Sequence, residues 1–264
     1  MLVLLPPSEG KASSGAEAPL DWDALSLPEL NPARARVLAA LVALSCGDED
    51  RAAEVLGLSP GLRGELSRNR ALRTAGALPA GELYTGVLYD ALELSTLGAG
   101  ARALAERSLL VFSGLWGAVR IGDRIPPYRC SGGVKLPPLG PLGTYWRAET
   151  AAVLPRVAGE GLVLDLRSTA YAALWRPAGA VAGRTATVRV LHEREVGGVV
   201  KRSVVSHFNK ATKGRIVRDL LEAGAEPESP ADLVVALRDL KHTVEATAPA
   251  AGKPWALDVV VTEL

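Results

Sequence analysis

The chain is poor in the residues that build metal and redox centres. Its 264 residues include two cysteines, Cys46 and Cys130, and three histidines, His192, His207 and His242. None has the spacing of a zinc set, so no metal site is expected. Two thiols so far apart fit a reducing compartment better than a disulfide framework. No apolar run reaches the roughly 20 residues that a membrane-crossing helix needs, so no membrane partner is expected. The chain enters Leu2–Leu5 at once, without a basic leader or a small-residue cleavage site. The expectation is a protein without a signal peptide, located in the cytoplasm. Nucleotide-loop signatures are missing too. There is no GxxxxGK[ST], no GxGxxG after an expected strand and no HExxH, and Ser113 lies in SGLWG, which does not match GxSxG. No resident cofactor is expected, and no catalytic residue can be assigned from these patterns.

Charge is balanced in total and uneven along the chain. The net charge is +1. Residues 201–218 hold Lys201, Arg202, Lys210, Lys213, Arg215 and Arg218 with no acid, a local +6. Residues 111–147 hold five basic residues against Asp123, a local +4, so the remainder carries −9. Two basic segments in an otherwise acidic chain point to a localised anion site rather than a wholly basic surface. The plainer alternative is that these cations solvate helix faces.

Apolar runs and turn signals predict strands over Met1–Leu5, Ser108–Phe112, Gly161–Leu166 and Trp255–Val261. Thr185–His192 and Val199–Phe208 read as a hairpin through Val196-Gly-Gly198. Helices are expected at Asn31–Leu44, Tyr145–Val157, Ser168–Trp175, Asn209–Glu222 and Pro230–Leu240, with Asn31, Ser168 and Ser229 as caps. Strands spread among helices, with no clean boundary, predict one mixed α/β (α+β) domain over 1–264, with a central mixed sheet flanked by helices.

Three segments carry the candidate chemistry. Pro6-Pro7-Ser8-Glu9-Gly10-Lys11 follows the first strand, and ligands of open α/β sheets gather beyond strand carboxyl ends. That makes Ser8 and Lys11 candidates. Asp165-Leu-Arg167-Ser168 ends one strand and opens a helix, which makes Ser168 a candidate anion contact. Its alternative is a capping serine beside a structural Asp–Arg pair. Lys210 and Lys213 cluster at an expected strand-to-helix junction, where cations are unfavourable unless an anion neutralises them. The block from Phe112 to Trp146 adds Arg120 and Arg129 as forked donors and Trp116, Tyr128 and Trp146 as possible stacking faces. Core packing is the alternative for these rings. Convergence of Asp165, Ser168, Tyr128, Arg129, His207 and Lys210 would instead suit an enzyme for a small phosphorylated or nucleotide-like substrate.

Taken in order, LLPPSEGK, YTGVLYDAL at 84–92, FSGLWGAVRIGDRIPPYR at 112–129, TYW at 144–146, LDLRSTAY at 164–171 and FNKATKGR at 208–215 resemble the motifs of the YaaA peroxide-stress protein family. Trp116 stands where that family has tyrosine. Arg120, Pro127-Tyr128-Arg129, Trp146, Lys210 and Gly214 match family positions, and Lys213 stands where an arginine often sits. Many members read SPAKT after the first strand, whereas this chain has Glu9 and carries its lysine at Lys11. The resemblance implies a cytoplasmic bacterial protein with a mixed α/β fold, a helix-hairpin-helix-like element and a positive cleft. It also implies DNA binding and a role in limiting oxidative DNA damage from unincorporated iron. A partner DNA that is structured or single-stranded, met through phosphates, is the corresponding expectation.

Overall fold

Four short apolar runs and one longer, alternating strand become the parallel centre of one sheet. The structure is a computed structural model that describes residues 1–13, 17–196, 199–247, 249–250 and 252–262, without the side chains of Val196, Ser206 and His207. The main strands are β1 (Leu2–Leu5), β2 (Leu109–Ser113), β3 (Gly117–Arg120), β4 (Val163–Asp165), β5 (Thr185–Val196), β6 (Val199–Ser203), β7 (Thr243–Thr247) and β8 (Trp255–Val261). They run in the order β7-β8-β5-β4-β1-β2-β3, with β6 paired to β5. The strands β8, β5, β4, β1 and β2 are mutually parallel. The remaining three, β3, β6 and β7, pair antiparallel. All residues of β1 and β2 are buried, as expected of strands covered on both faces. This is the mixed α/β architecture with a central sheet flanked by helices that the sequence pattern predicts, and the sheet is mostly parallel.

The chain leaves β1 toward β2 on one side and leaves β4 toward β5 on the other, although β1 and β4 are neighbours. Adjacent strands whose connections diverge open a crevice beyond their carboxyl ends. In this protein that crevice lies between residues 6–9 and 166–171.

Helices α1 (Asn31–Cys46), α2 (Glu49–Leu56), α3 (Glu65–Arg70), α4 (Val87–Leu92), α5 (Ala99–Ser108), α6 (Leu142–Thr150), α7 (Thr169–Ala172), α8 (Ser206–Glu222) and α9 (Pro230–Asp239) are the principal ones. The α8–α4 packing is close because of Gly214: a Cβ there would overlap the Leu88 carbonyl oxygen. Ser229 caps α9 in a reciprocal capping box with Asp232, as its sequence predicts.

Several expectations are corrected. The second hairpin strand stops at Ser203, and α8 begins at Ser206 rather than Asn209. The β-branched pairs 199–200 and 204–205 mimic one strand, but the buried set Ala211, Ile216, Val217, Leu220 and Leu221 binds this segment as a helix. The hairpin's turn residues 197–198 lie outside the described residues. Asn31 caps nothing. It is the first residue of α1, and its carboxamide bonds the Trp22 carbonyl and the Arg34 guanidinium. Among the described residues no helix is long and apolar enough to cross a membrane.

Candidate functional site

The crevice between β1 and β4 is a cleft of about 700 Å³. Its walls are residues 6–9, 86–89 and 166–171, closed by Ser131 and by Asn209, Lys210 and Lys213 of α8. The volume falls in the range of small-molecule sites, roughly 300–1,000 Å³.

The wall after β1 is held from behind. The Tyr89 hydroxyl donates to the Pro6 carbonyl at 2.7 Å, and Lys11 Nζ donates to the Ser8 carbonyl at 2.9 Å. Gly86, at φ 101°, lets the backbone pass the Ser8 hydroxyl, since a Cβ would come within 3.0 Å of Ser8 Oγ. The Lys11 ammonium lies 4.3 Å from the centre of the Tyr128 ring. Burial lowers its pKa to about 8, against the opposing pull of the Glu9 carboxylate. Beneath it runs a hydroxyl chain: Tyr128 Oη is 2.6 Å from Ser113 Oγ and 2.9 Å from Tyr84 Oη. Burial pushes both tyrosines up, so the chain stays protonated. It likewise pushes the Cys130 thiol up to about 12, which leaves a poor nucleophile.

The wall after β4 is built on a buried ion pair. Arg167 grips Asp165 through Nε to Oδ1 at 2.8 Å and Nη2 to Oδ2 at 2.6 Å. The guanidinium also lies 4.1 Å from the Phe112 ring centre and donates to the Tyr171 carbonyl. Both charges are therefore committed, and Arg167 acts as a brace rather than a free anion receptor. Ser168 occupies the N-cap position of α7, but its hydroxyl caps no backbone N–H. Lys213 Nζ donates to the Leu166 carbonyl at 3.2 Å. Burial lowers its pKa and Asp165 partly restores it. Lys210 is exposed.

Of the expected site residues, Ser8, Ser168, Lys210 and Lys213 meet in the cleft. Two more stand close to it. Lys11 sits behind Ser8. Arg129 reaches the rim through Glu9, with Nη1 3.2 Å from Oε2. The lysines occupy the second turn and beyond of α8, not its junction, so the helix-dipole argument loses its force there.

The other four are corrected. Arg120 ends β3 opposite Leu110, at the amino end of β2, and donates to the Arg107 carbonyl. It is at the wrong end of the sheet for the cleft. Trp116, Tyr128 and Trp146 are at most 1% exposed and offer no stacking face. The Trp146 indole donates to the Gly114 carbonyl at 2.8 Å, and Trp116 packs edge-on against Trp22. Their apolar area is large and the core has room for it, so burial wins. Sequence reasoning passed over Asn209, Thr169 and Tyr171 as cleft residues. Charge drew attention to Lys210 while its neutral neighbour Asn209 gave no comparable signal. The side chain of His207 lies outside the described residues.

An α/β protein with a basic cleft at its topological switch point is the class that fold and site define. Residues 1–244 match the family described as peroxide stress protein YaaA, and the chain belongs to that family. A UPF0246 protein of Streptomyces coelicolor is 67% identical over 100% of both chains. A UPF0246 protein of Corynebacterium efficiens is 43% identical over 93% of this chain and 95% of its own. An uncharacterised protein of Campylobacter jejuni is 26% identical over 81% of this chain and 82% of its own. Membership supports a stress-related role.

Proposed function

We propose that this protein serves the peroxide-stress response by binding DNA through its phosphates in the cleft, and so helps to limit oxidative DNA damage from unincorporated iron. The observation that carries the reading is the joint placement of Lys210, Lys213, Ser8 and Ser168 around one concave site beyond the ends of β1 and β4. Lysines supply point charges for phosphate, and hydroxyls orient it. A helix-hairpin-helix-like element would fall on α2–α3, where the chain turns at Gly57 and the short 3-10 turn Pro60–Leu62. Of the four arginines over α2–α3, three already pair with acids: Arg63 with Asp50, Arg68 with Glu65 and Arg70 with Glu49. The principal phosphate-binding role is therefore assigned to the cleft.

The test is the salt dependence of binding. For Lys210→Ala combined with Lys213→Ala, the log–log slope should flatten by about 0.9 for each duplex phosphate that the variant no longer neutralises. Unchanged affinity and slope would remove α8 from the DNA-binding surface. A second reading, an enzyme for a small phosphorylated substrate, draws on the bounded size of the cleft. Turnover of a phosphate ester that the same double variant abolishes would favour it.

A further inference from the structure

We infer that the β5–β6 ribbon is a second contact for the same DNA, and that the face carrying Arg194 and Lys201 takes the phosphates of the strand where it leaves the cleft. The inference rests on the DNA-binding reading of the cleft. It starts from where the ribbon stands. Strand β4 last pairs with β5 at Asp165 opposite Thr187, yet β5 continues to Val196. His192 pairs with Val261 of β8 on one side and with Ser203 of β6 on the other. Strand β6 therefore takes the place beside β5 that β4 vacates. The ribbon rises beyond the carboxyl end of β4, which is the edge where the cleft opens.

The two faces of the ribbon differ in charge. Side chains alternate along a strand, so Arg194 shares a face with Val188 and Val190, and Lys201 lies directly opposite Arg194. Val188 and Val190 are buried, whereas Arg189 on the other face is exposed. Helix α8 packs against β5, so the buried face is the α8 side. Arg194 and Lys201 are exposed, and neither forms an ion pair among the described residues. The other face holds Glu193, Glu195, Glu245 and Asp258 against Arg189 and Arg202, four acids to two arginines. There Arg202 pairs with Glu193 and Glu245, and Arg189 with Asp258.

Like charges directly opposite each other destabilise a strand pair. Lys201 beside Arg194 is that arrangement, with no acid on the same face of the ribbon to relieve it. A polyanion laid along the face relieves it, and the acidic far face repels the same polyanion and sets the side of its approach. From β6 the chain passes into α8, whose exposed Lys210 and partly buried Lys213 line the cleft. A cleft of about 700 Å³ holds a ligand of small-molecule size, so a longer strand must leave it. The basic face of the ribbon stands at that exit.

Fluorescence anisotropy tests the ribbon, with the full chain and a labelled single strand of about 20 nucleotides, longer than the roughly 4–16 that one single-strand groove occupies. Arg194→Gln combined with Lys201→Gln should weaken binding and flatten the log–log salt slope by about 1.4, two contacts at about 0.7 each. The Tm should not fall, because the substitutions relieve a like-charge pair. Lys253→Gln, just before β8 at the opposite end of the sheet, is the charge control and should leave affinity and slope unchanged. Unchanged affinity and slope in the ribbon variant overturn the inference, whereas weaker binding by Lys210→Ala with Lys213→Ala keeps the cleft reading intact. Equal loss per charge in Lys253→Gln also overturns it, because the effect is then one of net charge alone. A changed oligomeric mass of the DNA-free ribbon variant, by sedimentation, makes the face a contact between copies of this chain and overturns it too. If the wild type does not bind the single strand, the inference falls, and the DNA reading falls with it if a duplex of the same length is not bound either.

Discussion

Segments 111–147 and 201–218 carry comparable excesses of positive charge, +4 and +6, and both resemble family motifs. Folding treats them oppositely. The first is drawn into the core: β2 is fully buried, Trp116, Tyr128 and Trp146 lie within it, and Arg120 is turned to the far end of the sheet. The second forms α8, whose Lys210 and Lys213 stand in the cleft wall while Ile216, Val217 and Leu220 anchor the helix. The difference lies in what each segment can bury. A block with two tryptophans and two tyrosines gains more from the core than from an open ligand surface. A helix buries one stripe and leaves its lysines to the cleft.

The largest effect that would sharpen this contrast is on stability. Trp146→Ala should destabilise the fold by roughly 3–5 kcal/mol. The melting temperature should fall by roughly 10 °C, with DNA affinity of the folded protein unchanged. Weaker affinity at unchanged stability would return the ring to the binding surface.

Next comes Lys11, the buried amine between the two regions. With its folded pKa near 8 and an ordinary value of 10.5, the folded state holds fewer protons than the unfolded chain between those limits. Stability of the wild type should therefore rise with pH across that window, and the burial penalty is fully present below it. Lys11→Met should be more stable at pH 6 by as much as roughly 3 kcal/mol, less about 1 for the missing bond to Ser8. Thermal melts from pH 6 to 10.5 should show this advantage shrinking. An advantage that is constant with pH would show that the amine titrates normally.

The smaller effects compare one cation from each segment. Lys213→Ala should weaken DNA binding about tenfold, or about 1.4 kcal/mol. Arg120→Ala should change it by less than about 0.5 kcal/mol at the same salt, because the residue lies outside the cleft. Equal effects of the two variants, measured by fluorescence anisotropy, would break the comparison and spread the DNA-binding surface over both segments.

The parallel centre of the sheet was largely legible. Leu2–Leu5, Leu109–Ser113 and Val163–Asp165 are continuous apolar runs, which is how strands covered on both faces read. The boundary at 203–206 was not, since β-branched residues satisfy a strand pattern until tertiary packing chooses a helix. Ser8 and Ser168 were legible because each follows an apolar strand by a few residues; Lys210 and Lys213 line the same cleft, but the strand-to-helix junction that drew attention to them lies inside α8. Asn209 was not legible, because a neutral side chain beside charged ones gives no signal that it lines a cleft. Nor was Arg34. It is fully buried in α1 and donates to the carbonyls of Trp116 and Ala118, a brace formed by residues more than eighty positions away.

By itself the amino-acid sequence determined the class of fold, most of the parallel strands, the family and the uneven placement of charge. These follow from local pattern: apolar periodicity, capping residues and short motifs are readable within a few residues of one another. Only the tertiary structure decided which basic segment faces a ligand, which aromatics are core and where the cleft opens. Those outcomes depend on strand order, which sets β1 beside β4 although about 160 residues separate them. They depend also on competition for burial, which the whole chain settles at once.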